Sequence, residues 1–366
     1  MNNRYNSTPT DADKQRTRDF AATLADKHKF LTALKLMGIT WNECKTDAGI
    51  NFMRASMALS KAIACGFDPA TEFAKCRSAL YGAIVGDVVG SRFVGDGHAI
   101  KTKDFELFDD NCHFTAATVM TIAVADVLLS KFNSYKCIGM DILECDYHDI
   151  VSYIQRWGRK YPNAGYGHMF KDWLMSDNPK PYKSHGNGAA MRVSPCAWVH
   201  DNVRWTQALA GWSAQCTHGK RYGIPDRSCE GVKSAEAVAS AIFLARTGKS
   251  KLEIKAYVEK EFGYDLSRTL DEIRPTYRYE NAAAKSVPEA IIAFLESTDF
   301  EDAIRNAVSL GGAADTLAAI TGSIAEAFYG VPDALKQAVR EKLPLEMIRV
   351  LDNFNATLGF KVPNQV

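Results

Sequence analysis

From Cys76 to its C-terminus the chain is made of long alanine-rich stretches whose apolar residues recur three and four positions apart, with almost no strand-like alternation. Thr118 to Lys131 sets Met120, Ala123, Val124, Val127 and Leu128 at helical spacing, and Val232 to Arg246 does the same with Ala235, Val238, Ala239, Ile242 and Phe243. Thr316 to Tyr329 carries Leu317, Ile320, Ile324, Ala327 and Phe328, and stops at Gly330 with Pro332 just beyond. Pro288 is expected to open a further helix running to about Glu296. Small residues dominate these faces and let helix axes approach closely, so the pattern predicts an all-α, compact multi-helix bundle.

The segment before Cys76 reads differently. Residues 1 to about 16 are polar and predict a mobile arm. Phe20, Leu24, Phe30, Leu31, Leu34 and Met37 form a helical stripe that stops at Gly38, and Phe52, Met53 and Met57 begin another that ends at Gly66. This gives two expected units, a small helical N-terminal extension over residues 1–75 and a main domain over residues 76–366.

With 46% hydrophobic residues in 366, the chain can bury a substantial core. Lys plus Arg (44) nearly cancels Asp plus Glu (43), which removes the broad positive field that nucleic acid would attract. The start lacks an apolar leader core, and no run approaches the roughly 18 apolar residues of a membrane span. The expected localisation is cytoplasmic. Nine cysteines, scattered without a C-x-x-C pair, read as reduced thiols.

Three segments place glycine or small hydroxyl residues just ahead of a helical pattern: Phe114 to Thr118, Ser184 to Arg192, and Ser309 to Thr316. Helix N-termini present free N–H groups and partial positive charge, so such loops can gather oxygen ligands or hold anions. Taken singly, each is equally a capped helix behind a glycine turn. Taken together with Gly82 to Gly90, Thr217-His218 and Glu230 to Ala245, the set resembles the ADP-ribosylglycohydrolase family, with its motifs in order from about Cys76 onward.

That resemblance implies an all-α fold and removal of ADP-ribose from arginine side chains of modified proteins. It also implies two Mg2+ ions held between two of the loops by carboxylates and hydroxyls. Carried over by position, Asp315 is the catalytic and metal-binding carboxylate, with Thr115 and Thr316 as further metal ligands. The Gly186, Asn187, Gly188 and Met191 segment, His218, Gly311 and Gly312 would line the substrate, with His218 equally readable as an ordinary core histidine. Asp87 is expected to organise its helix and the neighbouring loop.

The departures decide what such a site can do. Alanine stands at positions 116, 117 and 313 where the family pattern has aspartate, and Val94 stands where it has glutamate. One carboxylate cannot neutralise two dications, because each lost contact removes roughly 4 kcal/mol of attraction at an effective dielectric near 20. Weak or absent Mg2+ binding is therefore expected. Ala116, Ala117 and Ala313 fit either deliberate inactivation of an enzyme or a natural pseudohydrolase that binds without cleaving.

Family members that act as immunity proteins against ADP-ribosyltransferase toxins can carry an N-terminal extension that blocks the toxin. The resemblance to that type makes a cognate toxin and an ADP-ribosylated protein the expected partners, with Arg4, Lys14, Arg16 and Arg18 as candidate toxin-binding residues and a solvated tail as the alternative. Deleting residues 1–75 should leave the rest folded and abolish inhibition of a cognate ADP-ribosyltransferase. Equal inhibition by full-length and truncated chains would make the arm a solvated tail.

Overall fold

A computed structural model describes residues 10–11, 45–46, 49–50, 78–135, 147–220 and 226–360. Among them fourteen α-helices run in order: α1 Tyr81–Gly90, α2 Ala116–Tyr135, α3 Tyr147–Lys160, α4 His168–Met175, α5 Gly188–Met191, α6 Val203–His218, α7 Glu230–Arg246, α8 Lys251–Phe262, α9 Leu270–Ile273, α10 Ala283–Leu295, α11 Phe300–Val308, α12 Ala314–Tyr329, α13 Asp333–Arg340 and α14 Leu345–Thr357. The helical stripes expected before Gly66, and the basic residues of the arm, lie outside the described residues.

The centre of the bundle is set by α1 and α12. Gly82, Gly86 and Gly90 recur every fourth residue and so share one face of α1, at a propensity cost of about 1 kcal/mol each relative to alanine. That face meets Gly322, Ala318 and Ala314 of α12 in antiparallel register. A Cβ at Gly82 would lie 2.1 Å from the Gly322 carbonyl oxygen, one at Gly86 2.0 Å from that of Ala318, and one at Gly90 2.5 Å from that of Ala314. Backbone packs on backbone, and every residue of α1 is buried.

Polar side chains from distant segments fix the start of α1. Buried Glu326 of α12 accepts from the Ser78 hydroxyl at 2.6 Å and from the Gly82 N–H at 2.9 Å. Asn355 of α14 accepts the Ala79 N–H at 2.8 Å and returns its own amide to the Ala79 carbonyl at 3.1 Å. Desolvation pushes the Glu326 carboxyl up to about 7, since these donors only partly replace water. Elsewhere Phe294 of α10 and Phe328 of α12 meet edge to face at 5.4 Å.

Several boundaries differ from the periodicity. The helix expected to start at Pro288 begins at Ala283, with Pro288 inside it. Its start is held by a tertiary contact, the Ala283 N–H donating to the His185 carbonyl at 2.8 Å, which no local pattern reveals. Between the two expected helical stripes, Lys45–Thr46 (β1) and Gly49–Ile50 (β2) pair antiparallel, Lys45 opposite Ile50 and Thr46 opposite Gly49. Two-residue strands are too short to leave an alternation signal. Cys112, Cys196, Cys216 and Cys229 are buried, and no helix among the described residues is long and apolar enough to cross a membrane.

Replacing Gly86 by alanine should cost about 3 kcal/mol, because the added methyl can be housed only by parting two helices. At Gly97 a Cβ would meet nothing within 4 Å, so Gly97→Ala should stay within about 0.5 kcal/mol. Denaturant midpoints of the two variants check this, and an unshifted Gly86→Ala would contradict the backbone contact.

Candidate functional site

The site is built where the N-termini of α2 and α12 reach the C-terminal half of α1. Asp87 of α1 is fully buried and accepts the Thr115 N–H at 2.8 Å, the Thr118 N–H at 3.0 Å and the Thr115 hydroxyl. It thereby serves donors that the first turn of α2 cannot satisfy within the helix. The Thr115 hydroxyl also lies 3.1 Å from Asp315 Oδ2, so a single hydroxyl hydrogen faces two carboxyl groups. Burial pushes Asp87 up to about 6 and the charge of Asp315 adds to the shift, while burial also raises Asp315.

Asp315 sits in the first turn of α12, half-buried, and its Oδ1 accepts the Thr316 N–H at 2.7 Å. The Thr316 hydroxyl contacts Met191 Sδ at 3.7 Å, and Thr121 of α2 donates to the Met191 carbonyl at 3.3 Å. The loops leading into α2, α5 and α12, far apart in sequence, are thus joined at one place. Ala116 and Ala117 open α2 beside Thr115, and Ala313 is the N-cap of α12 with no side-chain acceptor to offer. Half-buried Val94 lies nearby, since the next residue, Gly95, donates its N–H to the Gly312 carbonyl at 2.8 Å.

Gly311 and Gly312 have φ of +75° and +71°, which glycine alone adopts without strain. Both also pack closely: a Cβ at Gly311 would lie 2.8 Å from Ala99 Cβ, and one at Gly312 2.9 Å from the Arg278 carbonyl oxygen. Lys101 fastens the turn by donating to the carbonyls of Leu310 at 2.5 Å and Tyr277 at 2.8 Å.

Around Gly186 the picture is one of internal satisfaction. The Asn187 N–H donates to the Asn281 carbonyl at 2.8 Å and its side-chain amide to Ser286 Oγ at 3.1 Å. The amide expected to face a ligand is turned toward α10, because a buried amide must find a partner. His218, 2% exposed, places Nδ1 2.7 Å from Thr217 Oγ1 and Nε2 3.0 Å from the Gly186 carbonyl oxygen. Burial, and next the charge of Arg192, push its imidazole down to about 3, so it is neutral at any physiological pH. Both ring nitrogens are engaged within the protein, as in an ordinary core histidine.

Residues 68–358 match the family model for ADP-ribosylglycohydrolase. The chain belongs to the ADP-ribosylglycohydrolase family. It is similar to the mouse ADP-ribosylhydrolase ARH3, at 27% identity over 74% of this chain and 88% of that one. It is also similar to the ADP-ribosylarginine hydrolase Tri1 of Pseudomonas putida (strain GB-1), at 24% identity over 73% of this chain and 74% of that one. A solved structure described as an ADP-ribosylglycohydrolase-related protein complex shares the fold, with a TM-score of 0.52, 23% identity and coverage of 78% of this chain and 95% of that one.

Set against the metal pair that the family resemblance implies, the residues present do not fit. Among the described residues no group of three or more His, Cys, Asp or Glu side chains is placed to hold a metal ion. Asp87 spends both oxygens on Thr115 and Thr118, and the Thr115 hydroxyl is held between two carboxyls. Asp315 with Thr316 is what remains, too little charge for two dications.

Two tyrosines beside the ADP-ribosylglycohydrolase site escaped the sequence reading. Tyr166 is buried with no hydrogen-bond partner for its hydroxyl, and burial followed by the charge of Asp87 raises its pKa. Tyr279 is half-exposed, its hydroxyl raised by burial and then by Asp315. Tyr166 stands between Gly165 and Gly167 outside any periodic segment, so no pattern marks it.

The depressed His218 fixes a sign for stability. Its folded value of about 3 lies below the ordinary 6.5, so the unfolded chain binds the extra proton and stability falls as pH drops below 6.5. Asp87 acts in the opposite sense, losing stability as pH rises from about 4 to about 6, but a His218→Gln variant shares that contribution. Between pH 7 and pH 5 the native chain should therefore lose about 2 kcal/mol more than His218→Gln. Urea unfolding at the two pH values checks the difference.

Proposed function

We propose that this chain keeps the family's ADP-ribose-binding scaffold, directed at ADP-ribosylated arginine in a protein, and does not cleave the bond. The observation that carries the reading is the composition of the junction between α2 and α12, where Asp315, accepting from Thr316 and facing the Thr115 hydroxyl, has Ala116, Ala117 and Ala313 beside it in place of further carboxylates. The arginine linkage draws support from Tri1, described as an ADP-ribosylarginine hydrolase. In the same reading Gly186, Gly188, Met191, Gly311 and Gly312 border the ligand, and Thr115, Asp315 and Thr316 mark the remnant of the Mg2+ site. The same proposal gives residues 1–75 an ADP-ribosyltransferase toxin as partner, met by way of Arg4, Lys14, Arg16 and Arg18.

The purified chain should bind ADP-ribose in calorimetry and release none from an arginine-modified protein at millimolar Mg2+. Ala116→Asp, Ala117→Asp and Ala313→Asp combined should restore Mg2+ binding, while each alone does little, since ligands of one cluster act together. Adding Val94→Glu tests the fourth position. Turnover by the unaltered chain at about 1 per second or more would overturn the reading.

A further inference from the structure

Arg192, just after α5, is 1% exposed, and no ion pair among the described residues includes it. Its Nη2 donates to the Ser213 carbonyl at 3.2 Å, to Thr217 Oγ1 at 3.0 Å and to Cys216 Sγ at 3.4 Å. A buried guanidinium without a carboxylate is costly to retain, so neutral acceptors alone do not explain it. The contacts beyond Thr217 supply a reason. Thr217 Oγ1 lies 2.7 Å from His218 Nδ1, and His218 Nε2 lies 3.0 Å from the Gly186 carbonyl oxygen.

The two ends of this chain of contacts are chemically one-way. A guanidinium only donates and a carbonyl only accepts. With Nε2 against that carbonyl, the contacts select one placement of the protons in preference to donation from the ring to the Ala214 carbonyl. The Thr217 hydroxyl receives from Arg192 and donates to Nδ1, and the imidazole carries its proton on Nε2 and donates to Gly186. The neutral imidazole this requires is the form that burial and the Arg192 charge both favour. The ring is also confined: a Cβ on Gly231 would lie 2.0 Å from His218 Cδ2, so α7 packs directly against it. The anchored carbonyl belongs to a loop bridged on its other side to Ala282.

We propose that Arg192 is the positioning residue of the Gly186–Gly188 loop, acting through Thr217 and His218 to hold the Gly186 carbonyl in one orientation. The link to ligand binding rests on the proposed function, in which this loop borders ADP-ribose; the relay itself does not.

The test uses the full chain labelled with 15N-histidine. His218 should show a single Nε2–H tautomer at pH 7. Thr217→Val, which keeps the shape and removes the hydroxyl, should speed amide exchange across Gly186 to Met191 about tenfold and weaken ADP-ribose binding about tenfold, the loss of one net hydrogen bond. Thr217→Ser should restore both, and Arg192→Met should resemble Thr217→Val while Arg192→Lys stays near the native chain. If the buried Arg192 variants fail to fold, the Thr217 pair decides. An Nδ1–H tautomer in the native chain, unchanged exchange in Thr217→Val, or Thr217→Ser behaving like Thr217→Val would overturn the relay. Failure of the native chain to bind ADP-ribose, with tautomer and exchange as expected, would overturn the ligand reading and leave the relay standing.

Discussion

The contact between α1 and α12 is the constraint on which the rest of this molecule depends. Two helices that touch through Gly82, Gly86 and Gly90 on one side and Gly322, Ala318 and Ala314 on the other meet mainly backbone to backbone, with little side chain at the contact to cushion a slip. Their register is therefore fixed to a fraction of a helical turn. That register brings Asp87, near the end of one helix, to the first turn of the other, where Asp315 stands. It also leaves the Thr115 loop to close over both, with its backbone donors satisfied by Asp87.

The same geometry sets the electrostatics. Two carboxyls share the Thr115 hydroxyl in a site from which much of the water is excluded, and burial raises both. Further carboxylates beside them would be tolerable only with cations present, since each added like charge at contact distance costs about 4 kcal/mol at an effective dielectric near 20. Alanines at 116, 117 and 313 add no such charge. The family scaffold and the metal chemistry are physically separable, because the glycine-lined contact and the capping by Asp87, Glu326 and Asn355 need no ion.

A second polar system, independent of the carboxyls, organises the Gly186 loop. Arg192, Thr217 and His218 are all buried, and their hydrogen bonds run outward to a backbone carbonyl rather than to solvent. Asn187 is likewise used inside the protein. The loop's shape is thus fixed from beneath by side chains whose sequence signal, a threonine and a histidine at a helix end, does not reveal which way they point.

Periodicity alone sufficed for the all-α class and for the long helices, because burial of one face repeats every 3.6 residues and α7 and α12 obey that rule along their length. The family resemblance that the loop motifs carry nominated Thr115, Asp315, Thr316 and Met191, and alanine stands at 116, 117 and 313 where that pattern has aspartate. Distances between segments were decided by tertiary structure. The start of α10 five residues before Pro288 depends on His185, nearly a hundred residues earlier in the chain, and the inward turn of Asn187 depends on Ser286. The exposed or buried state of His218 and the proximity of Tyr166 to Asp87 are likewise properties of packing. A sequence records which groups are available, whereas the partner that satisfies a buried polar group is chosen by the fold, since that group must pair with whatever the close-packed interior brings within reach.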